Sequence, residues 1–245
     1  MIAGLFQKKD FRIAMSLGIN RPAMNDALFF GLGKPFPASC HPSMSFFKPE
    51  WAKAYVEHDP KRANELLDSL GLKQKDGEGY RLRPDGKGRL SLTIEVGNPV
   101  GPKVEMAEMI KKDWQQIGIE VIVKNEAQNL YVQRRNQITE IQIGTWHTDR
   151  GGLYGRANPL FYGYESLDNT WGSGWVQWYT SEGKQGVEPP QHIKDHKETF
   201  DQYRQTLPGT PEFNKLGEKY YAFFVEELPM IGTVGLEPWP MVVSN

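Results

Sequence analysis

The sequence predicts an α/β fold, and three observations carry that prediction. Residues 90–125 run strand, helix, strand with short joints, a βαβ pattern that implies parallel pairing through a crossover. Helices on both sides of this unit have capping residues at their starts, and several have glycine stops. The chain has 245 residues, of which 39 % are hydrophobic and 24 % charged, enough apolar material for one large domain or two small ones.

From the amino terminus, residues 10–30 read as two helices. Asp10 caps the first, with Ile13, Met15 and Leu17 on its apolar side; Asn20 caps the second, Pro22 lies in its opening turn, and Gly31 or Gly33 ends it. Residues 33–50 form an ordered loop, because Phe36, Phe46, Phe47 and Trp51 need partners, and His41 is a packed surface residue rather than a metal ligand. In DPKRANELLDSLGL, Asp59 is an N-cap, Pro60 opens the helix, Leu66, Leu67 and Leu70 form the buried stripe, and Gly71 is the left-handed stop. A hairpin follows, then a strand from Arg89 to Val96 with Leu90, Leu92, Ile94 and Val96 on one face. A calcium loop starting at Asp76 is rejected, since the further oxygen ligands and the closing glutamate are missing at their spacing. Pro102 opens a helix with Ala107, Ile110, Trp114 and Ile117 at core spacing and Gly118 as its stop; residues 119–125 are a β-branched strand. A short helix from Leu130 to Ile138 and a third strand from Ile141 to Trp146 come next. Helices at 191–205 and 211–226 precede an apolar, proline-interrupted extended stretch from Leu228 to Asn245, for which no partner sheet is evident in the preceding residues.

Between Trp146 and Tyr179 lie four of the seven tryptophans, four tyrosines and six glycines, with few aliphatic residues. Flat aromatic faces interleaved with His147, Asp149, Arg150, Arg156, Asn158, Glu165 and Asp168 suit a recessed site for a polar small molecule; a loop-rich core with satisfied indole N–H groups is the alternative. Residues at the carboxyl end of a strand such as 141–146 tend to line ligand crevices in open α/β sheets.

The net charge of −1 and the dispersed basic residues give no sign of a nucleic-acid partner, and no apolar run approaches the ~18 residues of a membrane span. Cys40 is the single cysteine, so neither an intrachain disulfide nor a cysteine-based metal site is available, and no cofactor is expected. The opening MIAGLFQKKDF lacks the features of a signal peptide, so either the protein stays inside the cell or the chain is a piece of something longer.

Taken in order, KKDFRIAMSLGINRPAMNDALFFGLGKP, DPKRANELLDSLGL and KKDWQQIGIEVIVK resemble the carboxyl-terminal half of the family 5 extracellular solute-binding proteins, the dipeptide, oligopeptide and oligosaccharide receptors of ABC importers. The resemblance implies a periplasmic-binding-protein-like lobe: a βαβ-containing mixed sheet flanked by helices, with residues 1–225 as the ligand-binding lobe and 226–245 as a terminal strand returning toward an absent amino-terminal lobe. It further implies a periplasmic or lipid-anchored extracellular receptor, monomeric when complete, that works with membrane permease subunits. Trp146 and Asp149 keep the family's Trp-x-x-Asp, whereas the following RGGLYGRANP departs from its peptide-receptor pattern. WGSGWVQWYTSEGKQGVEPP and IGTVG are similar to the subgroup that includes oligosaccharide receptors.

The expected ligand contacts are Trp146, His147, Asp149, Arg150, Tyr154, Arg156, Asn158, Trp171 and Trp175, with sugar faces stacking on indoles and hydroxyls meeting the polar groups. Trp171, Trp175 and Trp178 also fit a helical stripe facing the core, and Trp178 is assigned there. The expected function is therefore non-catalytic capture of an oligosaccharide-like solute by lobe closure, with oligopeptide binding as the alternative. A glycoside hydrolase, using two of Asp149, Glu165, Asp168 and Glu182, would need carboxyls ~5–9.5 Å apart, which sequence does not place. A free-standing interaction protein pairing through its apolar end is a third reading. His192 and His196, at i and i+4 without a third ligand, are assigned to an exposed helix face.

Overall fold

The computed structural model describes residues 2–97, 101–137, 141–146, 163–164 and 171–236. It is an α/β structure. The opening helices are α1 (Ile2–Phe6), α2 (Lys9–Leu17) and α3 (Arg21–Phe29). Asp10 sits in the first turn of α2 and does not cap it; the N-cap position is Lys8, so the aspartate contributes charge near the helix start rather than a capping bond. Asn20 caps α3 as expected, accepting from the Ala23 N–H. Phe30 takes the left-handed C-cap conformation at φ 55°, one residue before Gly31. Strand β1 (Lys34–Pro35) follows, and Asp59 caps α4 (Pro60–Ser69) by accepting from the Arg62 N–H.

The βαβ unit is β2 (Ser91–Val96), α5 (Lys103–Gln116) and β3 (Glu120–Asn125). Its strands pair in parallel from Ser91↔Glu120 to Val96↔Asn125. After α6 (Gln128–Arg135), β4 (Ile143–Gly144) joins the other side of β2 in parallel, giving the order β3-β2-β4. The third strand is thus two residues long rather than the six expected. All three strands of this sheet run the same way. The antiparallel component expected of a mixed sheet lies in a separate pair, where β5 (Val234–Gly235) meets β1 with Lys34 opposite Gly235. That pairing corrects the expectation that the terminal stretch lacks a partner among the preceding residues. Its remainder, 237–245, lies outside the described residues.

Two cores result. The first is mainly aliphatic: Leu92, Ile94 and Val96 of β2, Ile110 and Trp114 of α5, Leu67 of α4 and the inner side of α2. The second is aromatic, built between α8 (Gln191–Gln205) and α9 (Pro211–Glu226), with α7 (Ser173–Thr180) and the 40–51 loop against it. Thr210 caps α9 by accepting from the Phe213 N–H. Arg12 links the cores: its guanidinium donates to the carbonyls of Glu227 (2.5 Å) and Leu228 (3.0 Å) just after α9. Arg21, fully buried, donates to the Gly232 and Ser16 carbonyls at 2.8 Å each, which fixes the approach to β5.

The hairpin before β2 is held by Arg81. Its side chain has no exposed surface and donates to the Ile117 carbonyl (2.8 Å), Asn64 Oδ1 (2.6 Å), Asp68 Oδ1 (2.6 Å) and the Leu72 carbonyl. Asp76, the residue at the head of the rejected calcium loop, instead accepts from the Glu78 and Tyr80 N–H groups and from Arg89. Arg81→Met keeps the stem but leaves buried carbonyls without donors, each worth ~1–3 kcal/mol. The expected loss is ~3–5 kcal/mol, comparable to breaking a buried ion pair, read as a lower urea midpoint at unchanged m-value.

Candidate functional site

Trp146 lies two residues past β4, whose end is held by the Thr145 N–H donating to the Glu95 carbonyl (3.1 Å). Its indole stacks on the Tyr131 ring, with centroids 5.9 Å apart and planes 13° from parallel. The Arg135 guanidinium lies 5.4 Å from the indole centroid. Tyr131 and Arg135 are one turn apart on α6, so one helix face supports the tryptophan.

Tyr131 is itself completely buried, and glycines make its room. A Cβ on Gly97, just past β2, would lie 2.0 Å from Tyr131 Cβ; one on Gly144 would lie 2.4 Å from its hydroxyl oxygen. Burial pushes the Tyr131 hydroxyl pKa up to about 12, so it stays protonated.

Beside this platform, Glu95 at the carboxyl end of β2 is 2 % exposed and meets Arg134 at 2.9 Å. Arg134 also pairs with Glu126, and Lys124 approaches Glu95 at 3.9 Å from the surface. Burial holds the Glu95 carboxyl above the ordinary carboxylate range, with the Glu126 charge adding to it and Arg134 opposing. A crevice of about 380 Å³ opens at the carboxyl ends of β2 and β3, lined by Gly97, Gly101, Lys103, Asn125, Glu126 and Gln128. Its place matches the ligand position common to open parallel sheets, and its size is within the range of small-molecule sites.

Of the expected ligand contacts, Trp146, Trp171 and Trp175 are described; His147, Asp149, Arg150, Tyr154, Arg156 and Asn158 lie outside the described residues, as do Glu165 and Asp168. The three tryptophans are half-buried and all lean on the aromatic core. Trp171 meets Tyr164 and Phe224 edge-on at 5.5 Å and Trp175 at 6.0 Å. Trp178, assigned to the core, lies outside it: Val176 is the buried residue of α7, while Trp178 packs on Tyr179 and has the Lys194 ammonium 5.5 Å from its centroid. The α7 residues that pack against the aromatic core are Trp175 and Tyr179, one turn apart, and Trp178 falls outside that face.

His196 corrects another expectation. It is 6 % exposed, stacked between the rings of Phe223 (4.0 Å) and Tyr220 (4.6 Å), whereas His192 is exposed. Among the described residues, no group of three or more His, Cys, Asp or Glu is placed to hold a metal, and no helix is long and apolar enough to cross a membrane.

Sequence reasoning missed Tyr131, Glu95, Arg134 and Glu126. The signal was present in part, as Tyr131 followed by Arg134 and Arg135 at i+3 and i+4, with Gly97 and Gly144 at the ends of neighbouring strands.

Residues 3–171 match the family described as bacterial extracellular solute-binding proteins, family 5, middle region. Di/tripeptide-binding protein 1 of Pseudomonas aeruginosa (strain UCBPP-PA14) is 27 % identical over 204 residues, which are 82 % of this chain and 34 % of that protein. The periplasmic alpha-galactoside-binding protein of Rhizobium meliloti (strain 1021) is 28 % identical over 118 residues, 46 % of this chain and 17 % of that protein. Among solved structures, an oligopeptide-binding protein OppA superposes with a TM-score of 0.82 at 34 % identity, covering 95 % of this chain and 38 % of that one. The periplasmic binding protein MelB from Agrobacterium fabrum C58, solved with stachyose, superposes at 0.73 with 20 % identity, covering 95 % and 34 %, and shows the fold alone. The chain thus spans about a third of the length of the first of these relatives.

Gly97→Ala tests the platform. The added methyl collides with the Tyr131 ring, and overpacking of this kind costs ~1–3 kcal/mol. The expected outcome is a lower thermal midpoint together with altered near-ultraviolet circular dichroism from the displaced Tyr131–Trp146 pair.

Proposed function

Because the chain belongs to the bacterial extracellular solute-binding proteins of family 5, we propose that it is one wall of a receptor that captures a polar solute for an ABC importer without altering it. The observations that carry this reading are the platform at the carboxyl end of the parallel sheet, where α6 supports the Trp146 indole, and the 380 Å³ crevice at the ends of β2 and β3, whose lining residues Gly97 and Glu126 meet Tyr131 and Arg134 of that helix. A rigid, half-buried indole offers contact area at low cost in side-chain entropy, and the neighbouring Glu95–Arg134–Glu126 cluster supplies fixed charge to orient polar groups.

The proposed solute is oligosaccharide-like. Apolar sugar faces suit Trp146, Trp171 and Trp175, and the rim residues His147, Asp149, Arg150, Tyr154, Arg156 and Asn158 suit hydroxyls. The alpha-galactoside-binding relative supports this class. Oligopeptide binding is the second reading, favoured by the 34 % identity to OppA and by the di/tripeptide-binding relative; there Asp149 receives the α-amino group instead. Each of these relatives is named as a binding protein, which supports a non-catalytic role over glycoside hydrolysis.

In the complete receptor, residues 1–225 are proposed to form the lobe and 226–245 to lead toward the second lobe after first being anchored on this one through Leu228, Gly232 and β5; closure of the two lobes buries the solute and signals the permease. The receptor is proposed to act as a monomer, in the periplasm or anchored outside the cell.

Calorimetry on the complete receptor with α-galactosides and with di- and oligopeptides decides the class. A sugar response is expected, and tight peptide binding with no sugar response defeats that assignment. Trp146→Ala is expected to weaken binding by ~1–3 kcal/mol as loss of a central aromatic anchor. An unchanged dissociation constant in a folded variant removes Trp146 from the solute's contacts.

A further inference from the structure

Tyr164 lies on the chain between Trp146 and Trp171 and enters the aromatic core, where it is 1 % exposed. Its hydroxyl is 2.5 Å from His196 Nδ1, and His196 Nε2 is 3.0 Å from the Tyr220 carbonyl. A carbonyl only accepts, so Nε2 carries the proton; on a neutral ring Nδ1 then accepts from the Tyr164 hydroxyl. Both ring nitrogens are satisfied in one protonation state. Tyr164 in turn meets Trp171 at 5.5 Å and Tyr179 at 5.7 Å, and Trp171 meets Trp175 at 6.0 Å.

We infer that His196 is a positioning residue for the aromatic wall: as a neutral ring it holds Tyr164, and through Tyr164 it sets Trp171 and Trp175, so that the wall is ordered at neutral pH and loosens on acidification. The functional meaning of the wall rests on the proposed solute-facing role of Trp171 and Trp175.

The chemistry around the ring supports this direction. Adding a proton to Nδ1 turns it into a donor, reverses the bond to Tyr164 and takes away the acceptor of the tyrosine's own proton. It also places a cation among Phe223, Phe224, Tyr220 and Trp171, where burial opposes it. The charged groups nearby act the same way: Lys219 on α9 and His192 one turn earlier on α8 both disfavour a second cation. Among the described residues, Asp201 is paired with Lys197 at 2.6 Å and bears on Tyr164 and Tyr179, and it is not one of the charges that act on the imidazole. Burial foremost, with those two cations, lowers the His196 pKa from 6.5 to about 4, against the opposing hydrogen bond to Tyr220. A group lowered in this way binds more protons when released than when held. Its contribution is therefore complete above pH 6.5 and is lost progressively as the pH falls toward 4.

Hydrogen exchange on the chain without any solute, corrected for the pH dependence of intrinsic exchange, tests the inference between pH 7.5 and 4. Protection of the amides of α7 and α8 is expected to fall by about tenfold per pH unit below 6.5, while β2 and β3 hold theirs. His196→Gln has an acceptor for Tyr164 and a donor for Tyr220 but does not titrate, and its α7 and α8 profile is expected to be flat. A flat profile in the unmodified chain, the same slope in the glutamine variant, or an equal loss in β2 and β3 each overturns the inference. If the variant does not fold, nitrogen-15 titration of the His196 ring in the unmodified chain decides: titration well below free histidine supports the inference, and titration at or above it overturns it. No solute enters these measurements, so their failure is distinct from failure of the solute-binding reading.

Discussion

The parallel sheet depends on one buried cation. The Arg81 guanidinium joins α4 to the end of α5, while its own backbone holds the approach to β2, accepting from the Leu90 N–H and donating to the Gly118 carbonyl. A fully buried guanidinium is costly unless every donor is matched, so the arrangement admits few alternatives. It fixes where β2 begins relative to the helix that crosses over it. The register from Ser91 to Val96 then places Glu95 and Gly97 at the mouth of the sheet. The candidate site inherits its position from a residue on the opposite end of the strand.

At that mouth, missing side chains matter as much as present ones. Tyr131 reaches the sheet only because positions 97 and 144 have no Cβ, and Trp146 rests on Tyr131. The indole's orientation is thus set by buried geometry rather than by a flexible loop. Buried support of this kind lets an aromatic platform meet a partner without first becoming ordered.

Much of the fold was legible in the chain. Asn20, Asp59, Pro60 and Gly71 marked helix boundaries through local backbone chemistry, and the βαβ unit followed from alternating periodicities. The misreadings share a cause in long-range structure. Whether His196 faces solvent is decided by Phe223 and Tyr220 on another helix, which no spacing within α8 reveals. The i, i+4, i+7 stripe places Trp178 in the core, yet Trp175 and Tyr179 hold the face of α7 that meets it. Of the candidate site, sequence pointed to the tryptophans but not to their supports, because Tyr131, Glu95 and Arg134 converge only when three strands and α6 are assembled.

The pairing of β5 with β1 brings together segments about two hundred residues apart, and Arg21 reinforces it by gripping the Gly232 carbonyl. Closing so long a loop carries an entropic cost with little enthalpy from a two-residue ladder. The order of assembly follows: the local βαβ unit and the α8–α9 hairpin gain their contacts cheaply and early, and the ribbon zips last, together with the Arg21–Gly232 contact. A nascent chain therefore presents β1 unpaired until synthesis has passed residue 235, which makes this seam the stage most exposed to mispairing with another molecule.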